Sequence, residues 1–299
     1  MADPPKVRRP NADVAGSVRF SSLTGVRGAM LDLDGCTWFG GTLAPGASAF
    51  VHDLRAAGVR VGFLTNASVA PGARFAAMLR ERGLPCPDRH MLAPLDLLLD
   101  DLVTGEGRYL APNRPLLALA SVAVCDALTA TGVPIVLPTD AVGTPRVDAV
   151  VLGRDARLDY RDLTVATRAL RAGARLIALN GDARIPSDDG DVVPGPGAVA
   201  SLLQVASGVA PTVVGKPSRA FFDAALTRFG MDRSGTVMIG DNPFTDVAGG
   251  IGAGLRTVWI DLGTFRDGTG PDGRPPPSPD LVVGSLTDLH AQMEVEPPR

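Results

Sequence analysis

Two aspartates follow a short apolar run near the start of the chain. Met30, Leu31 and Leu33 suit a buried strand, and Asp32 and Asp34 stand where that strand ends. Two carboxylates this close repel each other, and they are costly to bury unless a cation such as Mg²⁺ joins them. The pattern is typical of a catalytic metal site and equally of a strand that runs into an acidic turn.

Three later apolar runs also end in polar residues that could do chemistry. These are Thr65 and Asn66 after residues 59–64, Lys216 after residues 211–215, and Asp241 with Asp246 after residues 236–240. Because ligands bind at the carboxyl ends of strands in an open α/β sheet, we expect these side chains to converge with the first two aspartates.

The elements that must position these residues alternate between strands and helices. Helical patterns at residues 47–57 and 71–83 separate the first strands, which predicts a Rossmann-like, doubly wound parallel sheet. The alternation continues through a region without acid-bearing strand ends until Asn180 and Asp182, and then the opening type of motif returns. We therefore predict a flexible tail over 1–20, a catalytic core over 21–91 and 209–299, and an inserted α/β cap over 92–208.

Within the predicted cap we assign strands and helices from the same patterns. The predicted strands are 108–111, 135–137, 149–152 and 175–178, and the predicted helices are 116–130 and 160–172. In the core, Pro211 is predicted to begin the return to the first sheet, a helix is predicted over 247–253, and residues 263–280 are predicted to form a loop.

The polar strand ends match a family in order and type. Asp-Leu-Asp-Gly at 32–35, Leu-Thr-Asn at 64–66, Gly-Lys-Pro-Ser at 215–218 and Gly-Asp-Asn-Pro-Phe-Thr-Asp at 240–246 resemble the ordered motifs of haloacid dehalogenase (HAD) superfamily phosphatases. The tryptophan-bearing first loop and the Leu-Asn-Gly-Asp at 179–182 look like the subfamily of NagD, phosphoglycolate phosphatase and pyridoxal phosphate phosphatase. The resemblance covers about residues 26–292 and implies that the insertion is a C2-type cap.

The chemistry can then be assigned residue by residue. Asp32 is placed to attack phosphorus and form an aspartyl-phosphate, and Asp34 to give a proton to the leaving alcohol and later take one from water. The expected Mg²⁺ ligands are the Asp32 carboxylate, the Asp34 carbonyl and Asp241, with Asp246 and Asn242 supporting them. Expected phosphate contacts are Gly35, Thr65, Asn66 and Lys216, of which Lys216 neutralises transition-state charge.

Residues of the cap and one cysteine are open to two interpretations. Asn180, Asp182 and Arg184 are candidates for contacting the leaving group, and a solvated turn explains them equally well. Ile185 stands where pyridoxal phosphate phosphatases carry a histidine, which argues against that substrate. Cys36 is either a small buried apolar residue or a redox-sensitive thiol, and the first is favoured.

Composition narrows the class of partner. The chain has 299 residues, 29 Lys and Arg against 32 Asp and Glu, and a net charge of −3, which predicts no nucleic-acid or membrane partner. The three cysteines are widely spaced, and no signal peptide or membrane-spanning run is evident, so we expect a cytoplasmic protein. Caps of the resembled subfamily often mediate dimers, which implies a possible homodimer.

Other motifs carry weaker signals. The glycine-rich stretch 249–254 lies in or after a helix and predicts close helix packing. Gly215 and Lys216 are not a P-loop, because proline follows them. Asp188, Asp189 and Asp191 are interpreted as a solvated acidic turn.

The leading hypothesis is a Mg²⁺-dependent phosphomonoester hydrolase that acts on a small metabolite such as a sugar or polyol phosphate. Phosphoryl transfer to an acceptor other than water uses the same residues and stays open. A phosphate-binding module without turnover is the third possibility, and the presence of both Asp32 and Asp34 argues against it.

Overall fold

The computed structural model describes residues 16–186, 192–264 and 275–297. The tail before residue 16, the acidic turn at Asp188, Asp189 and Asp191, and much of the predicted loop 263–280 lie outside these ranges. Within them, no helix is both long and apolar enough to cross a bilayer.

The strands and helices are numbered here in chain order. The strands are β1 Ser17–Phe20, β2 Leu23–Val26, β3 Gly28–Asp32, β4 Trp38–Phe39, β5 Thr42–Leu43, β6 Arg60–Leu64, β7 Met91–Leu92, β8 Leu116–Leu119, β9 Ile135–Val136, β10 Ala149–Leu152, β11 Arg175–Ala178, β12 Arg184–Pro186, β13 Val192–Pro194, β14 Pro211–Val213, β15 Thr236–Gly240, β16 Arg256–Ile260, β17 Leu281–Val283 and β18 Met293–Glu296. The helices are α1 Ala47–Ala56, α2 Gly72–Glu81, α3 Pro94–Thr104, α4 Val122–Thr129, α5 Tyr160–Arg171, α6 Pro196–Ser207, α7 Arg219–Phe229, α8 Ala248–Gly252 and α9 Leu286–Ala291.

A six-stranded parallel sheet carries the predicted motifs. Its order is β17-β16-β15-β3-β6-β7, so the chain leaves the central strand β3 towards one edge through β6 and β7 and returns on the other side through β15. Every residue of β3 is buried, as expected for a central parallel strand. The reversal of strand order between β3 and β15 creates the crevice in which ligands of open α/β sheets bind. The predicted Rossmann-like fold class is confirmed.

A second parallel sheet lies in the chain between β7 and β15. Its order is β14-β11-β10-β8-β9. One apolar cluster joins the two sheets, because Met30 and Leu64 of the first sheet pack in the same cluster as Leu116 and Val151 of the second. The two sheets are therefore held against each other by a shared core as well as by the chain connections.

Two predicted elements of the inserted region differ from the structure. The predicted helix 116–130 is strand β8 followed by helix α4, because a short apolar run fits a buried strand and a buried helix equally well. Residues 108–111 do not form a strand. Their backbone turns around the buried Asp101 carboxylate, which accepts hydrogen bonds from the N–H groups of Arg108, Tyr109 and Leu110 at 2.6–2.9 Å.

Two predicted boundaries also shift. Ser17–Phe20, assigned to the flexible tail, is strand β1, which pairs with β18 and β2 and buries Val18 and Phe20. Pro211–Val213 does not return to the first sheet: it pairs with β11 at the edge of the second, about five residues past the predicted boundary at 208. The apolar pattern could not show this, since both sheets accept the same kind of strand.

The glycine-rich stretch at 249–254 packs closely, as predicted. A Cβ at Gly249 would lie 2.3 Å from the Phe222 ring, and one at Gly250 would lie 2.7 Å from Thr257. Small residues on α8 therefore let this short helix approach α7 and the first sheet.

Candidate active site

The buried part of the site is a lysine between two carboxylates. Asp32 ends β3 with 5% exposure, Lys216 is 2% exposed and Asp246 is fully buried. The Lys216 ammonium group donates to Asp32 Oδ1 and, at 2.5 Å, to Asp246 Oδ1. Burial alone would lower the pKa of Lys216, but Asp246 and Asp32 together raise it, so the lysine stays charged.

Local structure explains why these side chains meet. The Thr37 hydroxyl donates to the Asp32 carbonyl at 2.6 Å and fixes the end of β3. Residues Pro243–Val247 form a π-helical turn after β15, and this turn brings Asp246 back so that its Oδ2 accepts from the Asn242 N–H at 3.1 Å. Asn242 in turn caps the turn by accepting from the Phe244 N–H at 3.0 Å.

Asp241 completes a set of acidic oxygens suited to a cation. Carboxylate oxygens of Asp32, Asp241 and Asp246 lie within 4.8 Å of one another. Burial, and then the charge of Asp246, raises the pKa of Asp241 to about 7, and burial raises the pKa of Asp32 while Lys216 opposes the rise. Lys216 neutralises only part of this negative charge. The hard oxygen donors and the remaining charge fit a divalent cation of the Mg²⁺ type.

Gly35 lets Asp241 approach the first loop. Its φ is +86°, and a Cβ there would lie 2.4 Å from Asp241 Oδ2. Its N–H donates to the Trp38 carbonyl at 2.9 Å, so that group is already occupied and is not free for the predicted phosphate contact. The glycine instead makes room for the Asp241 carboxylate.

Asp34 lies in different surroundings from Asp32. Its side chain is exposed, and neutral donors hold it: the Trp38 indole N–H donates to Oδ1 at 2.8 Å, and the Thr65 hydroxyl lies 3.3 Å from Oδ2. Thr65 is fully buried, and its oxygen also accepts from the Ala67 N–H at 2.9 Å. The structure thus brings together Asp34 and Thr65 at the open side of the site.

Asn66 joins the two sheets beside the lysine. Its amide donates to both Asp182 oxygens at 3.2 Å and to the Lys216 carbonyl at 3.1 Å, while its Oδ1 accepts from the Lys216 N–H at 2.8 Å. Burial raises the pKa of Asp182 to about 6 against the lowering effect of Lys216. The amide N–H groups and the Oδ1 of Asn66 are therefore all hydrogen-bonded, and they hold the junction between the two sheets.

Asn180 is buried at the same junction, which excludes the solvated turn for this residue. Its amide donates to the Asn66 carbonyl at 2.6 Å and to the Ser68 hydroxyl at 3.4 Å. Both predicted partners of the substrate, Asn66 and Asn180, thus bind each other. Arg184 lies exposed on β12, which pairs with β13.

Cys36 packs as a small apolar residue. It is 2% exposed, its Sγ lies 3.7 Å from the Ile239 carbonyl, and burial raises the pKa of its thiol well above the ordinary value. A thiol without access to solvent or a lowered pKa is unsuited to redox chemistry.

Sequence reasoning gave no role to Trp38 or Trp259, which both touch site residues. Trp259 donates its indole N–H to the Asp241 carbonyl at 2.9 Å. The spacing of four residues between Asp34 and Trp38 was visible in the sequence, but it does not reveal where an indole points.

Comparison with known proteins agrees with this geometry. A family model described as haloacid dehalogenase-like hydrolase matches residues 29–138, and a second HAD hydrolase model matches residues 213–289. Human glycerol-3-phosphate phosphatase is 32% identical over 93% of this chain and 96% of its own length. The chain belongs to the haloacid dehalogenase-like hydrolase family. This HAD enzyme is a phosphatase.

Other relatives of this HAD phosphatase cover most of its length. Acid sugar phosphatase of Staphylococcus aureus is 31% identical over 78% of the chain and 86% of its own length. A p-nitrophenyl phosphatase from Archaeoglobus fulgidus superposes with a TM-score of 0.75 at 25% identity, covering 88% of this chain and 98% of that one. A glycerol phosphate phosphatase from Mycobacterium tuberculosis in complex with magnesium gives 0.72 at 27% identity, covering 89% and 77%.

Proposed function

We propose that this HAD phosphatase is a Mg²⁺-dependent phosphomonoesterase that hydrolyses small polyol or sugar phosphates through an aspartyl-phosphate on Asp32. The observation that carries the proposal is the contrast between two nearby carboxylates. Asp32 is buried and accepts from Lys216 at Oδ1, and its Oδ2 has no hydrogen bond to any residue that the structure describes. Asp34 is exposed, and among the described residues only neutral donors hold its carboxylate. The first suits a nucleophile and the second suits a proton carrier.

In the first half-reaction, an Asp32 carboxylate oxygen bonds to phosphorus as the bond from phosphorus to the leaving oxygen breaks. The electron pair stays on the leaving oxygen, which takes a proton from Asp34. In the second half-reaction, a water oxygen bonds to phosphorus, the Asp32–phosphorus bond breaks and Asp34 takes a proton from the water. Lys216 lies beside Asp32 throughout and offsets the negative charge of the transferring group.

Asp32, Asp241 and the Asp34 carbonyl would hold the Mg²⁺. When bound, the ion neutralises repulsion between the carboxylates and the phosphoryl oxygens. Both oxygens of Asp246 already accept hydrogen bonds, from Lys216 and from the Asn242 N–H, so this residue fits a supporting role.

The substrate class rests on the relatives. These relatives are named glycerol-3-phosphate phosphatase, acid sugar phosphatase and glycerol phosphate phosphatase. We propose that Asp182, which follows β11 and lies at the junction beside Asn66, and Arg184 on β12 meet the organic part of the substrate. The inserted region would then act as a cap that selects the substrate.

A panel assay tests this function. Phosphate release is measured with glycerol 3-phosphate, several sugar phosphates, pyridoxal 5′-phosphate and p-nitrophenyl phosphate, each with Mg²⁺, Ca²⁺ or EDTA. Ca²⁺ is included because the mycobacterial relative has also been solved in complex with calcium. We expect turnover of polyol or sugar phosphates with Mg²⁺ and none with EDTA. Full activity in EDTA, or transfer to added glycerol in place of phosphate release, would contradict the proposal.

A further inference from the structure

The first loop folds Trp38 back onto Asp34. The Trp38 N–H donates to the Leu33 carbonyl at 2.9 Å, and the Trp38 carbonyl accepts from the Gly35 N–H at 2.9 Å. These bonds close a tight turn in which Asp34 and Trp38 form a β-bridge. Trp38 is 2% exposed, yet its indole nitrogen reaches a carboxylate that is open to solvent.

The two Asp34 oxygens have partners of different chemistry. The indole N–H on Oδ1 can donate a hydrogen bond but cannot accept one. The hydroxyl near Oδ2 can do both, since the Thr65 hydroxyl rotates about its C–O bond. A proton on Oδ1 would compete with the indole N–H for the same oxygen and weaken that hydrogen bond, whereas a proton on Oδ2 only requires the Thr65 hydroxyl to turn its hydrogen elsewhere.

We infer that Trp38 is a positioning residue for proton transfer: its indole N–H fixes Asp34 Oδ1 as an acceptor and thereby assigns the transferred proton to Oδ2. This inference rests on the proposed function, in which Asp34 protonates the leaving oxygen. When Oδ2 carries the proton, the Thr65 hydroxyl is released from donating to Asp34 and can donate to a phosphate oxygen, the role expected for it from the sequence.

A second residue holds the indole in place. The Arg82 guanidinium lies 5.5 Å from the centre of the Trp38 ring. The same side chain donates to the Gly41 carbonyl between β4 and β5, and to the Met78 carbonyl at 2.8 Å. Arg82 therefore fastens the β4–β5 hairpin to α2 and covers the face of the indole, which limits its rotation.

The dependence of kcat/KM on the leaving group shows whether Trp38 positions the Asp34 proton or only packs in the loop. An alkoxide is a strong base that needs a proton to leave, whereas p-nitrophenolate leaves readily without one. The value of kcat/KM covers the steps up to leaving-group departure, so it reports on the proton donated by Asp34. We expect Trp38→Phe, which keeps a ring but removes the N–H, to lower kcat/KM by about 10-fold for glycerol 3-phosphate and by less than about 3-fold for p-nitrophenyl phosphate.

Trp259→Phe is the matched control. It removes the other indole N–H near the site, the one bonded to the Asp241 carbonyl, and we expect it to leave the ratio of the two kcat/KM values as in the parent enzyme. Replacing Trp38 with 3-benzothienylalanine, which keeps the bicyclic shape without the N–H, gives the same test if Trp38→Phe folds poorly. A parent-like ratio in both Trp38 variants would overturn the inference.

Asp34→Asn distinguishes the two possible failures. If this variant loses glycerol 3-phosphate activity selectively while the Trp38 variants do not, only the inference about Trp38 is wrong. If Asp34→Asn itself keeps the parent ratio, the proposed role of Asp34 is wrong, and the inference fails with it.

Discussion

The site has a buried half and an open half that meet in one short loop. The buried half consists of Asp32, Lys216 and Asp246, which are buried, together with the half-buried Asp241, and its charged groups face one another. The open half consists of Asp34, Trp38 and Thr65, in which neutral donors hold one exposed carboxylate. Because desolvation strengthens charge interactions, the same residue type can serve as a nucleophile in one half and as a proton carrier in the other.

The glycine at position 35 separates the two halves. It allows Asp241 to reach the loop from the buried side, while the turn to Trp38 directs Asp34 towards solvent. The division therefore depends on backbone conformation as much as on the aspartates themselves.

The largest expected effect on activity comes from replacing Asp32 or Asp34. Asp32→Asn removes the nucleophile, so we expect kcat/KM to fall by at least about 10⁴-fold for every leaving group. Asp34→Asn removes a proton donor, so we expect a fall of about 10²- to 10⁴-fold with glycerol 3-phosphate and a much smaller one with p-nitrophenyl phosphate. Steady-state kinetics on both substrates measures the contrast, and equal losses in the two variants would remove the distinction between the halves.

Lys216→Met tests the charge balance of the buried half. The variant leaves Asp32 and Asp246 buried without their shared cation, and we expect the free energy of unfolding in EDTA to fall by about 3–5 kcal/mol. Arg175→Met breaks the exposed ion pair with Asp148 and should cost less than about 1 kcal/mol. Urea unfolding of both variants checks the difference. Equal costs would show that the buried lysine does not hold the carboxylates together.

The sequence predicted the buried half better than the open half. Asp32 and Asp241 stand at strand ends, and the parallel sheet brings those ends together whatever their side-chain conformations. The contact of Trp38 with Asp34 depends on how a tight loop directs one indole, which periodicity does not encode. The same limit explains Asn180, whose bond to Asn66 depends on the docking of two sheets.

The fold shows the same difference between what local patterns predict and what depends on tertiary contacts. Strand β3 and helix α1 were predicted from local patterns, and their positions are confirmed. The run Leu116–Leu119 was assigned to a helix because four buried apolar residues carry no period, and only pairing with β10 makes them a strand. The division of the chain into a catalytic core and a cap stays a prediction, although β14 extends the second sheet past residue 208. The homodimer also stays a prediction.

The junction of the two sheets, where Asn66 holds Asp182, should show a pH-dependent stability. The folded protein binds the Asp182 proton more tightly than the unfolded chain, because burial raises the pKa from 3.8 to about 6. The free energy of unfolding therefore falls as the pH rises from about 4 to about 6. We expect Asp182→Asn to gain up to about 3 kcal/mol relative to the parent between pH 4 and pH 7 in EDTA.

Denaturant unfolding across that range measures the gain, with Asp126→Asn on α4 as the control for loss of an exposed carboxylate. If the free energy of unfolding changed with pH in the same way for the parent and for Asp182→Asn, the expectation would be contradicted.

The smallest expected effect concerns the glycine between the halves. Gly35→Ala and Gly40→Ala both place a side chain at positive φ and should each cost about 1–2 kcal/mol of stability. Only the Cβ at position 35 would collide with Asp241, whereas position 40 has open space. We expect Gly35→Ala alone to raise the Mg²⁺ concentration for half-maximal activity, by about 10-fold. Equal Mg²⁺ requirements would show that Gly35 does not position Asp241.

Chemical trapping of the covalent intermediate tests the central claim most directly. The Asp34→Asn enzyme, in which hydrolysis of the intermediate is slowed, is mixed with p-nitrophenyl phosphate and Mg²⁺, quenched in acid and reduced with borohydride, which converts an aspartyl-phosphate to homoserine. Peptide mass spectrometry should find homoserine at position 32 and none in a sample without substrate. Homoserine at position 34, 241 or 246, or unmodified Asp32 during continued turnover, would contradict the account.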